Sequence, residues 1–275
     1  MTNPEDKISA YTLGHSDIEN RRLLIQARLF DPYTEAFLRK AGIREGMKIL
    51  DVGSGMGDVS FLAAKLVGKD GQVIGIDADD GVTGIATDRA LIQGMENVKF
   101  VTGDAASFDS EGDFDAVIGR LILIHIEDPA ALLRQLTNRL RPGGLIAFED
   151  AAFPGTVYPA CPLIEYLNEI CKKACDKIGI DLEFGYRLPA IFQEAGLGVP
   201  ELDYFAPTGA GPDWPGYEWL VEAIRTLLPA IRQFDLASET EIDIDTLEAR
   251  IRKEAIANQS TVTIQHHITA WTTAP

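Results

Sequence analysis

Basic residues are scarce in this sequence. Its 275 residues carry 25 lysines and arginines against 42 aspartates and glutamates, a formal net charge of −17. A field of that sign repels phosphate backbones, so nucleic acids and anionic membrane surfaces are not expected as main partners, although a local basic pocket stays compatible with it. Long apolar runs are also missing. None reaches the roughly 18 residues of a membrane helix. The opening Met1-Thr2-Asn3-Pro4-Glu5-Asp6 is polar and acidic, unlike a secretory signal. Cysteine is sparse and odd in number, with only Cys161, Cys171 and Cys175. That makes a poor disulfide framework, and no pair has zinc-binding spacing. Cys171 and Cys175 share a face if their segment is helical, and two buried thiols are expected there. These absences together lead us to expect a cytoplasmic protein with reduced thiols.

What is present is an ordinary globular composition, 46% hydrophobic and 24% charged. It supplies enough apolar side chain for a sizeable core and for one large domain, or one and a half. Residues 18–41 follow the helical period through Leu23, Leu24, Ala27, Leu29, Phe30, Phe37 and Leu38, and Pro32 predicts a kink or break near Asp31. From 47 to 151 short apolar runs alternate with helical stretches. Strands are predicted at 47–52, 72–77, 98–101, 114–118 and 145–149, with helices near 57–67, 82–94 and 128–140. Such alternation argues for a parallel sheet covered on both faces. Arg141-Pro142-Gly143-Gly144 reads as a sharp turn before the fifth strand. Beyond 151 the rhythm changes. Helices are predicted at 162–178, 188–195, 216–234 and 245–258, with strands at 199–205 and 261–271.

The strongest chemical signal is Ile49-Leu50-Asp51-Val52-Gly53-Ser54-Gly55-Met56-Gly57. A strand enters three glycines at alternate positions and then a helix. Glycine lets a ligand lie directly on the backbone and adopts positive φ at little cost. The helix N-terminus beyond it offers free N–H groups to an anionic group. The dinucleotide fingerprint would need glycine at position 58, where this chain has Asp58. Asp77 ends the second strand at the same sheet edge, where a carboxylate can accept both hydroxyls of a ribose. Asp104 follows the third strand in Thr102-Gly103-Asp104-Ala105 and can accept from an adenine amino group.

These motifs, in this order, resemble the class I S-adenosylmethionine-dependent methyltransferases. Within them the chain is most similar to the small-molecule group that contains the ubiquinone and menaquinone methyltransferases. Phe114-Asp115-Ala116-Val117-Ile118-Gly119-Arg120 and Leu140-Arg141-Pro142-Gly143-Gly144-Leu145 match the fourth and fifth family motifs. The leader Tyr11-Thr12-Leu13-Gly14-His15-Ser16 looks like that of bacterial natural-product enzymes. The resemblance implies an α/β, Rossmann-like, doubly wound seven-stranded sheet whose last strand is antiparallel, with helical cap insertions. It divides the chain into an N-terminal helical leader (1–44), a cofactor-binding core (45–151), a cap with the sixth strand (152–258) and a final strand (259–275). It implies S-adenosyl-L-methionine as cofactor and a small organic acceptor of the secondary-metabolite class. By the same carry-over Asp51, Gly53, Ser54, Gly55 and Gly57 form the loop around the methionine part. Asp77 binds ribose, Ala78 packs on adenine, Asp104 and Ala105 read its edge, and Arg120 sits near the methionine end. Tyr11 and Gln26 are candidates to close over the cofactor.

His125, after the fourth strand, is the candidate general base, with Glu149 and Asp150 at the end of the fifth as alternatives. Packing or capping roles compete for all three. His266 and His267 are neighbours in a strand, so only one can face inward. Tyr186 and Arg187, and the aromatic Trp214, Tyr217 and Trp219, fall in the roof, where core packing competes with lining an acceptor site. No metal is expected, because Arg120 stands where metal-dependent relatives of the fold would place an acid. A nicotinamide-dependent oxidoreductase and a non-methylating cofactor-binding protein are the competing readings. The oligomeric state is open, a homodimer included.

Overall fold

The structure is a computed structural model and describes residues 17–108, 113–152 and 155–274. It opens with one long helix, Asp17–Ala41. Ala27, Leu29, Phe30, Phe37 and Leu38 of the predicted apolar stripe are buried, and Ile25, which the stripe did not include, is buried with them. The predicted break near Asp31 does not occur, and the helix continues through Pro32. A proline there removes one intrahelical bond at a cost of about 3 kcal/mol. The buried side chains on both sides of it offset that cost.

The strands, in chain order, are β1 Lys48–Val52, β2 Gln72–Asp77, β3 Val98–Thr102, β4 Phe114–Arg120, β5 Leu140–Ala152, β6 Thr156–Tyr158, β7 Glu201–Phe205, β8 Thr208–Gly209, β9 Thr261–Thr263 and β10 His266–Thr273. Seven form the main sheet, in the order β3-β2-β1-β4-β5-β10-β7. Strands β1 to β5 run parallel, and β10 runs antiparallel to both neighbours. This is the doubly wound sheet expected from the sequence. Ile49, Leu50, Val117, Ile118, Ile146 and Phe148 are completely buried, as strands covered on both faces require. The order reverses between β1 and β4, and a crevice opens at the carboxyl end of such a switch point.

Two strand predictions needed correction. The run 261–271 is not one strand. Its first part, β9, joins β6 and β8 in a separate three-stranded sheet of order β6-β9-β8. The chain then crosses at Ile264 and Gln265 into β10 of the main sheet. The stretch Arg141–Gly144 is a bulge within β5 rather than a turn before it. Phe114 pairs with Leu140 but Ala116 with Leu145. Asp115 holds the bulge by accepting the Lys48 N–H at 2.6 Å and pairing with Arg141 at 2.7 Å.

Helices Pro162–Ile178, Gly216–Gln233 and Leu247–Ala257 build the cap. Their buried Ile164, Leu167, Ile170, Trp219, Ile224 and Ile251 form one apolar cluster, which also takes in Ile25, Leu29 and Phe30 of the first helix. The N-terminal helix is therefore part of the cap core. Among the described residues no helix is long and apolar enough to cross a membrane.

Candidate active site

The glycine loop leaves β1 with Gly53, Gly55 and Gly57 all at positive φ (69°, 51° and 89°). The Gly53 and Ser54 N–H groups donate to the Ile76 carbonyl at 2.9 and 3.0 Å, tying the loop to β2. A Cβ would strike Ile122 at Gly53 and Phe100 at Gly57, each at 2.6 Å, whereas at Gly55 nothing among the described residues lies within 4 Å. The outer two glycines thus serve close packing, and Gly55 borders open space. Beyond them Asp58 pairs with Arg89 at 2.6 Å, and Arg89 also donates to the Met56 carbonyl at 2.5 Å. Asp58, noted in the sequence only for displacing a glycine, anchors the loop.

Asp77 is half-buried beside this loop. Its Oδ2 accepts the Gly55 N–H at 2.8 Å and its Oδ1 the Asp79 N–H at 3.1 Å. A carboxylate has about four acceptor positions, so the described residues leave about two for a ligand. Ala78 is exposed and Ala105 half-buried at the same edge. Asp104 is exposed and holds its own turn, accepting the Ala106 N–H at 2.9 Å and the Ser107 hydroxyl at 3.1 Å. Asp51 is buried beneath the loop. Ser60 donates to its Oδ2 at 2.6 Å, while Oδ1 has no partner among the described residues. Burial raises this carboxyl to about 7.

A cavity of about 340 Å³ opens from the glycine loop toward the cap. Ser54 and Gly55 form its floor, with Gln26, Arg120, His125 and Gln265 among its polar lining. Leu167, Cys171, Cys175, Trp219, Ile224 and Leu227 supply an apolar wall. The Ser54 hydroxyl is buried with no hydrogen-bond partner among the described residues. Burial pushes the Cys171 and Cys175 thiols up to about 12 and about 11, so both are wall rather than nucleophiles.

The structure brings His125 to this cavity, exposed at the end of a single 3₁₀ turn. Glu149 and Asp150 do not join it. Both are fully buried and outside its lining. Asp150 accepts the Leu123 N–H at 3.1 Å, binding the end of β5 to the segment carrying His125. Burial raises its carboxyl to about 8. Glu149 lies in a chain of hydrogen bonds. Arg120 pairs with Asp31 at 2.9 Å and donates to Thr34 at 3.0 Å. Thr34 donates to Glu149 Oε2 at 2.8 Å, and His267 Nδ1 meets Glu149 Oε1 at 2.6 Å. Burial opposes the Arg120 charge, but Glu149, Asp31 and Asp58 outweigh it and hold its pKa above the ordinary value.

Of the remaining candidates, Trp219 lines the cavity, and Tyr217 is fully buried with its ring edge-on to Trp214 at 5.1 Å. His266 stands edge-on to Tyr204 at 5.3 Å, whereas His267 is the inward-facing member of the pair. Tyr186 is exposed, and Arg187 pairs with Asp181 at 3.1 Å. Tyr11 lies outside the described residues. Among the described residues no group of three or more His, Cys, Asp or Glu is placed to hold a metal ion.

Residues 43–195 match a family model described as a methyltransferase domain. Over 118 residues the chain is 34% identical to demethylmenaquinone methyltransferase of Staphylococcus aureus (strain MRSA252), covering 42% of this chain and 48% of that protein. The chain thus spans about half the length of that curated relative. Phosphoethanolamine N-methyltransferase 2 of Haemonchus contortus, solved with S-adenosyl-L-methionine, is similar in structure with a TM-score of 0.55 at 18% identity, over 98% of this chain and 60% of that one. The [4+2]-cyclase SpnF gives a TM-score of 0.55 at 18% identity, over 89% and 80% of the two chains. At such identities the structural likeness concerns the fold.

Proposed function

The chain belongs to the methyltransferase-domain family, and from that premise we propose that it binds S-adenosylmethionine at the glycine loop and methylates a small, largely apolar organic acceptor under the cap. The observation that carries this reading is the cavity itself. It begins at Gly55 and the Ser54 hydroxyl, which have no neighbour and no hydrogen-bond partner respectively among the described residues, and ends on an apolar wall. These residues fit the cofactor. Gly53, Ser54, Gly55 and Gly57 would carry its methionine part, with Arg120 and Gln26 beside it. Asp77 would take the ribose hydroxyls, and Ala78, Asp104 and Ala105 the adenine. When bound, the cofactor supplies a methyl group already activated on a sulfonium. The chain's own task is alignment of the acceptor and exclusion of water, and positioning alone is worth about 7–11 kcal/mol. Leu167, Trp219 and Ile224 exclude water from above. His125 is the cavity-lining candidate to take a proton from the acceptor, a role typically worth about 10²–10⁴-fold. We further propose that the protein acts in the cytoplasm, on metabolites of the quinone or secondary-metabolite kind.

Calorimetry with S-adenosylhomocysteine and with NADH separates the cofactor classes, the former being expected to bind. Mass spectrometry of incubations with S-adenosylmethionine and a panel of phenols, hydroxyquinones and amines then seeks a product 14 mass units heavier, the mass of CH₂. Binding without transfer to any acceptor would favour a non-methylating role. That reading has a fold-level parallel in the cyclase SpnF.

A further inference from the structure

We infer that Gln265 is a specificity residue whose amide carbonyl faces the acceptor cavity and accepts a hydrogen bond from an O–H or N–H on the acceptor. The inference rests on the proposed use of that cavity as the acceptor site. Gln265 sits where the chain crosses from β9 to β10 and belongs to neither strand. Its side chain lines the cavity, and its Nε2 lies 2.8 Å from His267 Nε2. The orientation of the amide follows from what stands behind it.

The chain of donors begins at Arg120, which can only donate. It donates to Thr34 Oγ1, so the Thr34 proton goes to Glu149 Oε2. The other Glu149 oxygen faces His267 Nδ1 at 2.6 Å. A carboxylate only accepts, so Nδ1 carries the imidazole proton. The His267 ring is completely buried and stacks on Phe30 at 4.3 Å between centroids, with Phe205 at 5.1 Å. Burial, with the nearby Arg120 charge, lowers its pKa against the opposing pull of Glu149, which favours the neutral ring. A neutral ring protonated on Nδ1 presents a lone pair at Nε2. Gln265 must then offer its NH₂ to that lone pair. Its Oε1 has no hydrogen bond among the described residues, so the free group presented to the cavity is an acceptor. Glu149 and His267 touch no acceptor and act as positioning residues. They stand two and one steps behind Gln265.

The orientation is tested first without any ligand. The chain has four histidines, so a His267→Gln variant assigns the ring resonances in a long-range nitrogen–proton NMR spectrum. A protonated Nδ1 with a lone-pair Nε2 is expected at pH 7.5; a protonated Nε2 overturns the inference. The second measurement uses 2-naphthol and its methyl ether as probes, titrated into protein saturated with S-adenosylhomocysteine. The wild type should favour the naphthol, and Gln265→Leu should lose about tenfold of that preference. A wild type that does not favour the naphthol, or a variant with unchanged preference, overturns it. Gln265→Leu should bind S-adenosylhomocysteine like the wild type. If the wild type itself fails to bind that cofactor product, the proposed function falls, while the NMR result still decides the orientation of Gln265.

Discussion

Asp77 concentrates the cofactor reading in one carboxylate. It holds the Gly55 N–H and the Asp79 N–H and retains acceptor positions for a ribose. Hydrogen bonds to a charged group contribute about 1.5–3 kcal/mol each. Asp77→Ala should therefore weaken S-adenosylhomocysteine binding by roughly 100-fold or more, through lost ribose contacts and a loosened Gly55. Calorimetry on the folded variant checks this, and a change below about threefold would rule out the assignment. The residues of this half of the site are readable in the sequence because each follows a strand that the apolar pattern marks. The other half is not. Thr34 and Glu149 meet across 115 positions, and His267 and Glu149 across 118. Nothing local in Asp31, Thr34 or Gln265 marks them as partners of Arg120 and the cavity. Glu149 and Asp150 end a strand at the expected edge, yet both turn away from the cavity into buried hydrogen bonds.

Local pattern fixes strands and helices better than it fixes which layer they join. The β-branched stretch 261–271 predicts extended backbone correctly, but period-two alternation cannot say that β9 pairs with β6 and β8 while β10 pairs with β5 and β7. The bulge at Arg141–Gly144 is hidden for a related reason, since Pro and Gly signal a turn whether or not a neighbouring Asp115 keeps the chain on the sheet. The cap is nevertheless where the sequence left its alternating rhythm. It packs over the cavity through the helices Pro162–Ile178 and Gly216–Gln233, and segments at the carboxyl edge of such sheets carry binding residues. We expect the cap segments 155–196 and 207–258 to gain hydrogen-exchange protection when S-adenosylhomocysteine and 2-naphthol bind together. Unchanged exchange in both segments, with binding verified by calorimetry, would show that the cap does not respond to the acceptor.

At the scale of the whole molecule, an acidic protein has buried two acids, Asp51 and Asp150, that form no ion pair among the described residues. Asp51 and Asp150 are almost fully shielded from water, and burial raises their folded-state values to about 7 and about 8. Both lie above the 3.8 of an unhindered aspartate, so each takes up a proton on folding. Stability from such a group is complete below its unfolded value and is lost as pH rises through the folded one. His267 runs the other way. Burial lowers its pKa below 6.5, so its contribution is lost only as pH falls below that point. Above pH 6.5 the two aspartates therefore act alone among these three. Each can cost up to about 1.4 kcal/mol per pH unit while the folded form is protonated and the unfolded form is not. Between about pH 6.5 and 8.5 the total loss should be on the order of 2–3 kcal/mol. The formal charge of −17 adds self-repulsion, so the measurement belongs at fixed ionic strength near 0.15 M, where the screening length is about 8 Å. Urea midpoints should fall steadily across that range, and Asp150→Asn should flatten the upper part of the fall. Midpoints that hold level or rise would mean that these carboxyls are ionised in the folded protein and that their burial is matched by partners elsewhere.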